Sequence, residues 1–349
     1  MPGATKYSSK EGFSNKVFKD LQIPSNIKKI LIDSNNYALS NKTKKSYQSA
    51  LNRAKLCEAE TSCTFSCPMS EKDLLIFVGW AISKNNKAST IKTYLCGLKN
   101  FHVALGFKDF STDSQLIKNV LRGHENKTNE AEKSTKKSNN RLPCTPYILR
   151  LIKAELKASP MPKSDKIVIW AAVTAAFAGG LRMGEILCKS DKVFDKNYDL
   201  LKKDVKLCRD DTLQISVKSS KCNKSNKAEL IEIFPSNSNI CAIAAFKKLE
   251  KVTRHLPKDK PCFSNKEGTP LTCRALNKFL KTFSAKHFKK GVISGHSMRA
   301  GLVSIFGQLG YSDSELKKFG RWSSRAFALY TKLTRTKRHE MAKAARLIT

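Results

Sequence analysis

Acidic residues are scarce in this 349-residue chain: 29 Asp and Glu stand against 65 Lys and Arg, a net charge of +36. An excess of that size repels itself unless a polyanion neutralises it, and nucleic-acid phosphates do so with release of their condensed counterions. Nucleic acid is the expected partner and an anionic membrane surface the weaker alternative, while charge by itself says nothing of catalysis. Long apolar runs are also missing. No window approaches the roughly 18 uninterrupted apolar residues of a membrane span, so no membrane partner is expected.

An apolar leader core is absent from the N-terminus, and the eleven cysteines are odd in number and scattered without a dense framework. Together these point to an intracellular, reduced protein. Cys57, Cys63 and Cys67 lie close together, yet they form no CxxC pair and have no fourth ligand nearby, so they read as ordinary thiols rather than a zinc site. There is no internal repeat. What the chain does have is 40% hydrophobic residues, enough to bury cores, and a length that suits two domains of roughly 100 to 200 residues each.

Residues 1–38 show little periodicity and several lysines and read as a basic arm. Apolar residues then recur at helical spacing through Tyr47, Ala50, Leu51 and Ala54. Ser70 and Asp73 form a capping box ahead of Leu74, Leu75, Phe77 and Val78, a third helix runs from Ile91 to a stop at Gly106, and a fourth carries Leu116, Ile117, Val120 and Leu121 before Gly123. Residues 39–123 are thus expected to form an all-helical domain. The stretch "HENKTNEAEKSTKKSNNR" that follows has no aromatic or branched apolar residue, so residues 124–142 read as a linker. In residues 143–349, Thr145 and Pro146 suit a helix start, and a long apolar helix leads to Arg182. Strand-like alternation appears on both sides of an Asp210–Asp211 turn and again in "ELIEIF", and helices follow. That order describes an α+β domain, mainly helical with a small antiparallel sheet.

Three segments of this second domain set polar side chains against an apolar background. In "AGGLRMGEI", Arg182 follows an apolar helix that ends in two glycines, where burial demands an anionic partner; Glu185, one turn on, offers an internal one. In "SGHSMRAG", His296 and Arg299 are three apart on a helix start, share a face and suit two oxygens of one phosphate; a capping His and a surface Arg are the plainer alternative. In "FGRWSSRAFALY", Trp322 and Tyr330 lie eight apart, as core aromatics also do.

Taken in this order, the segments resemble the tyrosine recombinase (phage integrase) superfamily. Its pattern is an Arg in a "GLRxxE" context, a hairpin Lys, an HxxR, a His or Trp after a Gly, and a nucleophilic Tyr about ten residues beyond that Gly. The matching residues are Arg182 with Glu185, a lysine of "SVKSSKCNKSNK", His296 with Arg299, Trp322 and Tyr330. The phrase from Ser294 to Tyr330 is most similar to DIRS- and Crypton-type mobile-element recombinases. Among the hairpin lysines, Lys221 best matches the family's SK pair and Lys218 is the alternative. Counting back from Tyr330, Arg321 falls at the usual His or Trp position, whereas "GRW" proteins are thought to use the Trp, so Trp322 is preferred.

The resemblance implies an all-α core-binding (SAM-like) domain followed by the α+β catalytic domain, closed as a clamp on double-stranded DNA. It implies an enzyme that cleaves and rejoins DNA strands through a 3′-phosphotyrosine on Tyr330, serving integration, excision or transposition of a mobile element. Arg182 and Arg299 would hold the nonbridging oxygens and His296 would act in proton transfer at the tyrosine. Trp322 would pack and hydrogen-bond, and Lys221 would protonate the departing 5′ oxygen. No cofactor and no metal are implied. A homotetramer on two DNA sites, a dimer per site, is expected, in the nucleus of a eukaryotic host or otherwise in cytoplasm with the nucleoid. The segment after Tyr330 would dock on a neighbouring subunit or pack on its own domain. The alternatives are a catalytically inactive DNA-binding protein of recombinase descent and a type IB topoisomerase.

Overall fold

The computed structural model describes residues 22–107, 111–134, 141–218 and 228–321. The chain divides into two compact units, 1–137 and 138–349, and the boundary falls inside the segment whose composition reads as linker.

The first unit holds five described helices: α1 (Ser25–Tyr37), α2 (Asn41–Thr61), α3 (Glu71–Ser83), α4 (Ala88–Ala104) and α5 (Gln115–Ser134). Ser40 begins α2 by accepting from the Thr43 amide at 3.2 Å, and Ser70 begins α3 through the expected box with Asp73. Helices α2, α3 and α4 carry Ala50, Leu51, Ala54, Phe77, Val78, Ile91, Leu95 and Leu98 into one core, to which α5 adds Ile117 and Leu121. Cys57 is buried in that core, where burial pushes its thiol up to about 11.

Two features of this unit differ from the sequence expectation. Within the arm, Ser25–Tyr37 is helical although none of its residues is buried. Helix α5 passes through Gly123 and continues to Ser134, well into the expected linker. "HENKTNEAEK" lacks apolar residues but also lacks proline, and Glu, Lys and Ala are strong helix formers, so nothing stops the helix once Ile117 and Leu121 anchor it. His124 Nε2 meets the Asn86 carbonyl at 2.9 Å and Lys92 pairs with Glu125 at 3.3 Å, fixing the extension to the loop before α4 and to α4 itself.

The second unit starts with α6 (Pro146–Ala158), capped by Thr145 with Pro146 in its first turn, and α7 (Lys163–Ala178). After the short α8 (Met183–Ile186) come three strands, β1 (Val205–Leu207), β2 (Leu213–Val217) and β3 (Glu229–Ile233). They form an antiparallel sheet in sequence order, with Val205 opposite Ile215 and Leu213 opposite Ile233. Helices α9 (Ala242–Thr253), α10 (Cys273–His287), α11 (Gly295–Gln308) and α12 (Asp313–Phe319) complete the described part. This is the expected mainly helical unit with a small antiparallel sheet.

Helix α7 is apolar all round because it is the core: α6, α9 and α11 pack on it, and eight of its residues, Val168 to Ala176 apart from Trp170, are buried. A fully buried Leu149 or Ile152 in the facing helix contributes about 1.5–3 kcal/mol by burial. The β2 pattern is buried at Leu213, Ile215 and Val217, which sets one face of the sheet on the same core. In β3 the positions on that face are Glu229, Ile231 and Ile233, a carboxylate in line with two isoleucines.

Candidate active site

Helix α7 ends at a glycine pair. Gly180 has φ +56°, a left-handed conformation that side chains resist, and the chain turns there so that Arg182 leads into α8. The Glu185 carboxylate then reaches back, accepting from the Arg182 amide at 2.9 Å and from Arg182 Nη1 at 2.7 Å. The internal ion pair weighed for Arg182 is therefore formed.

Glu185 has a second cation. Arg321, just beyond α12, donates from Nη2 to Glu185 Oε2 at 2.7 Å and from Nη1 to Glu229 Oε2 at 3.1 Å. Side-chain exposure grades the group: 3% for Glu185, 7% for Arg321, 20% for Arg182. Burial pushes the Glu185 pKa upward, but the charge of Arg321 and hydrogen bonds from Arg182 and Arg321 outweigh it and hold the carboxyl below its ordinary value.

Arg299 comes to the same place from α11. It is 4% exposed, which sets aside the surface-arginine alternative. Its Nη1 donates to the Gly180 carbonyl at 3.1 Å, and its Nη2 donates to the carbonyls of Gly320 and, at 3.4 Å, Arg321. One guanidinium thus ties the glycine turn before Arg182 to the end of α12. His296, one turn earlier on the same helix, is exposed.

Two contacts fix the start of α11. The Gly295 amide donates to Asn277 Oδ1 of α10 at 3.0 Å. A Cβ on Gly295 would lie 2.6 Å from Met183 Cγ, so only glycine lets the helix carrying His296 and Arg299 approach the residue after Arg182 so closely. Ser294, not His296, occupies the cap position.

Of the predicted residues, Arg182, His296 and Arg299 are brought to one region. Lys221, Trp322 and Tyr330 lie outside the described residues; Val217 and Glu229 pair at the ends of β2 and β3, and Lys221 falls between them in sequence. The alternative, Lys218, is anchored: its ammonium pairs with Asp204 at 2.5 Å and donates to the Lys196 carbonyl at 2.9 Å, with 18% of the side chain exposed. Arg321, the sequence's alternative to Trp322 at the His or Trp position, is paired with Glu185 and Glu229, an ion pairing that sequence reasoning did not give it. Glu229, an acid in register with the buried face of its strand, hinted that a cation lay opposite but not which one. No group of His, Cys, Asp and Glu suited to a metal ion occurs among the described residues, and none of the described helices is long and apolar enough to cross a membrane.

No protein-family model matches the sequence, and none of the curated proteins does. Solved structures do match. The chain is similar to the XerH site-specific recombinase bound to palindromic difH substrate in a post-cleavage complex, at 15% identity over 94% of this chain and 90% of that one, TM-score 0.58. It is also similar to the Tn1549 transposon integrase in complex with transposon right end DNA, at 14% identity over 90% and 96%, TM-score 0.59. A lambda integrase dimer bound to a COC′ core site matches at 15% identity over 88% and 75%, TM-score 0.53. With its helical first unit and a mainly helical second unit built on a three-stranded antiparallel sheet, the chain has the fold of the tyrosine recombinase and integrase family.

Proposed function

We propose that this protein is a DNA breaking and rejoining enzyme of the tyrosine recombinase type, with Tyr330 as nucleophile, and that it acts on duplex DNA as a multimer to move a mobile element of DIRS or Crypton kind. The observation that carries the reading is the convergence of Arg182 and Arg299, from helices more than a hundred residues apart in sequence, on the single Gly180 turn. Two guanidiniums at one turn suit a phosphodiester whose nonbridging oxygens gain charge as the phosphorus becomes pentavalent. The net charge of +36 suits the rest of the duplex.

In the proposed reaction the Tyr330 hydroxyl, with an ordinary pKa of about 10, loses its proton toward His296 as its oxygen bonds to phosphorus. The bond from phosphorus to the 5′ oxygen breaks, and Lys221 gives that oxygen a proton. The 3′-phosphotyrosine retains the phosphodiester energy, so a 5′ hydroxyl from another strand reseals the backbone by the reverse exchange. The relatives' complexes favour this chemistry over simple binding: one is XerH after cleavage of its difH substrate and another is a lambda integrase tetramer on a Holliday junction.

A nicked suicide substrate carrying the ends of the element that encodes the protein provides the test. The wild-type chain should become covalently attached to it, and Tyr330→Phe should not. Binding with no adduct from the wild type would mean a retired DNA-binding protein. Adduct formation and relaxation of a single duplex, with no strand exchange, would mean a type IB topoisomerase.

A further inference from the structure

We propose that Arg321 is a positioning residue for Arg182: it neutralises Glu185 from the inner side, so that Glu185 orients Arg182 without holding it back from a phosphate. The inference deepens the recombinase reading and rests on it.

Four charges lie in an alternating row, Glu229, Arg321, Glu185 and Arg182. Glu185 and Arg321 are the buried middle of the row, Arg182 and Glu229 its more exposed ends, and of the two arginines on Glu185 it is Arg182 that faces outward. If Arg182 were the sole partner of Glu185, the pair would be hard to open, because drawing the arginine toward a substrate would leave a buried carboxylate uncompensated. Arg321 removes that obstacle. Glu185 keeps a cation at 2.7 Å whatever Arg182 does, and Arg321 is held in turn by Glu229 at 3.1 Å.

Arg321 occupies this place against local preference. Its φ is +53°, in the left-handed region that a long side chain seldom adopts, and its Nε is buried with no hydrogen-bond partner among the described residues. Strain and an unsatisfied donor persist where the surrounding interactions over-determine them. Here those are the two carboxylates on the side chain and Arg299, which donates to the carbonyls of Gly320 and Arg321. Trp322 follows directly, and Glu229 begins the strand that comes after Lys221 in sequence.

The experiment measures single-turnover adduct formation on the suicide substrate, with DNA binding and thermal melting on the same full-length proteins. Arg321→Met should slow adduct formation about a hundredfold, the scale of losing one preorganised cation, while DNA binding holds. Glu185→Gln added to that variant should restore at least about tenfold, since the excess carboxylate charge is gone. Arg321→Lys, which keeps the charge in a less exacting shape, should stay within about tenfold of wild type. A merely structural arginine would make the double variant slower than Arg321→Met. That outcome, or Arg321→Met at the wild-type rate, overturns the proposal. If Arg321→Met does not melt cooperatively, the lysine variant decides: adduct formation as low as in Tyr330→Phe overturns it. Wild-type adduct on the same substrate separates the two claims, because without it the recombinase reading falls, and with it only the role of Arg321 is in question.

Discussion

Arg299 donates from Nη1 to the carbonyl oxygen of Gly180 across 3.1 Å, so an arginine proposed to hold phosphate also secures the turn from which Arg182 projects. The two arginines therefore differ in what their loss should do.

Arg299→Ala leaves the carbonyls of Gly180 and Gly320 without this donor in a buried site. We expect a loss of about 2–4 kcal/mol of stability, read as a lower urea midpoint, together with loss of adduct formation. An unchanged midpoint would show that the carbonyls find other partners.

Arg182→Ala removes the more exposed of the two arginines that hold Glu185 and leaves Glu185 paired with Arg321. Adduct formation should fall by at least about a hundredfold, with DNA binding largely retained and a smaller loss of stability than Arg299→Ala. Equal loss of binding and cleavage would mark a structural arginine.

Glu185 gives the second unit an acid-sensitive ion pair. Its folded pKa is lower than its ordinary value of 4.5, so its contribution to stability is complete above pH 4.5 and declines as the pH falls from there through the folded value. Melting temperature measured from pH 6 to pH 3 should drop more steeply in wild type than in Glu185→Gln. Parallel curves would assign the acid limb to other carboxylates.

Glycines separate packing from propensity. A Cβ on Gly301 would collide with the backbone of Cys144, carbonyl and amide alike, and backbone cannot swing aside as a side chain end can. Gly301→Ala should cost about 3 kcal/mol or prevent folding. Gly79, exposed in the middle of α3 with nothing near its Cα hydrogens, should gain about 1 kcal/mol as Ala. Urea midpoints of the two variants moving the same way would refute this.

Local chemistry made much of the fold readable. Ser70 with Asp73, Thr145 with Pro146, and the alternation around Asp210–Asp211 each depend on neighbours within a few residues, and each lies where the pattern puts it. Helix α5 escaped because a solvated helix and a linker share the same polar composition; propensity, not apolar periodicity, separates them. In the site, the short spacings of Arg182 to Glu185 and of His296 to Arg299 were legible. The pairing of Arg321 was not, since its carboxylates lie 92 and 136 residues away, and no periodicity reports a contact at that range. That Lys218 is tied to Asp204 was not legible either, since the two lie fourteen positions apart.

The close approach at Gly301 has a mechanical meaning. Arg141 bridges to Val292, the Leu142 amide donates to the Val292 carbonyl at 3.1 Å, and the Cys144 amide donates to the Ser297 carbonyl at 2.8 Å. The chain thus enters its second unit moored along the start of α11, before α6 begins. The turn of helix that carries His296 and Arg299 is thereby bound to the segment that enters the unit, so the two form one continuous piece of structure.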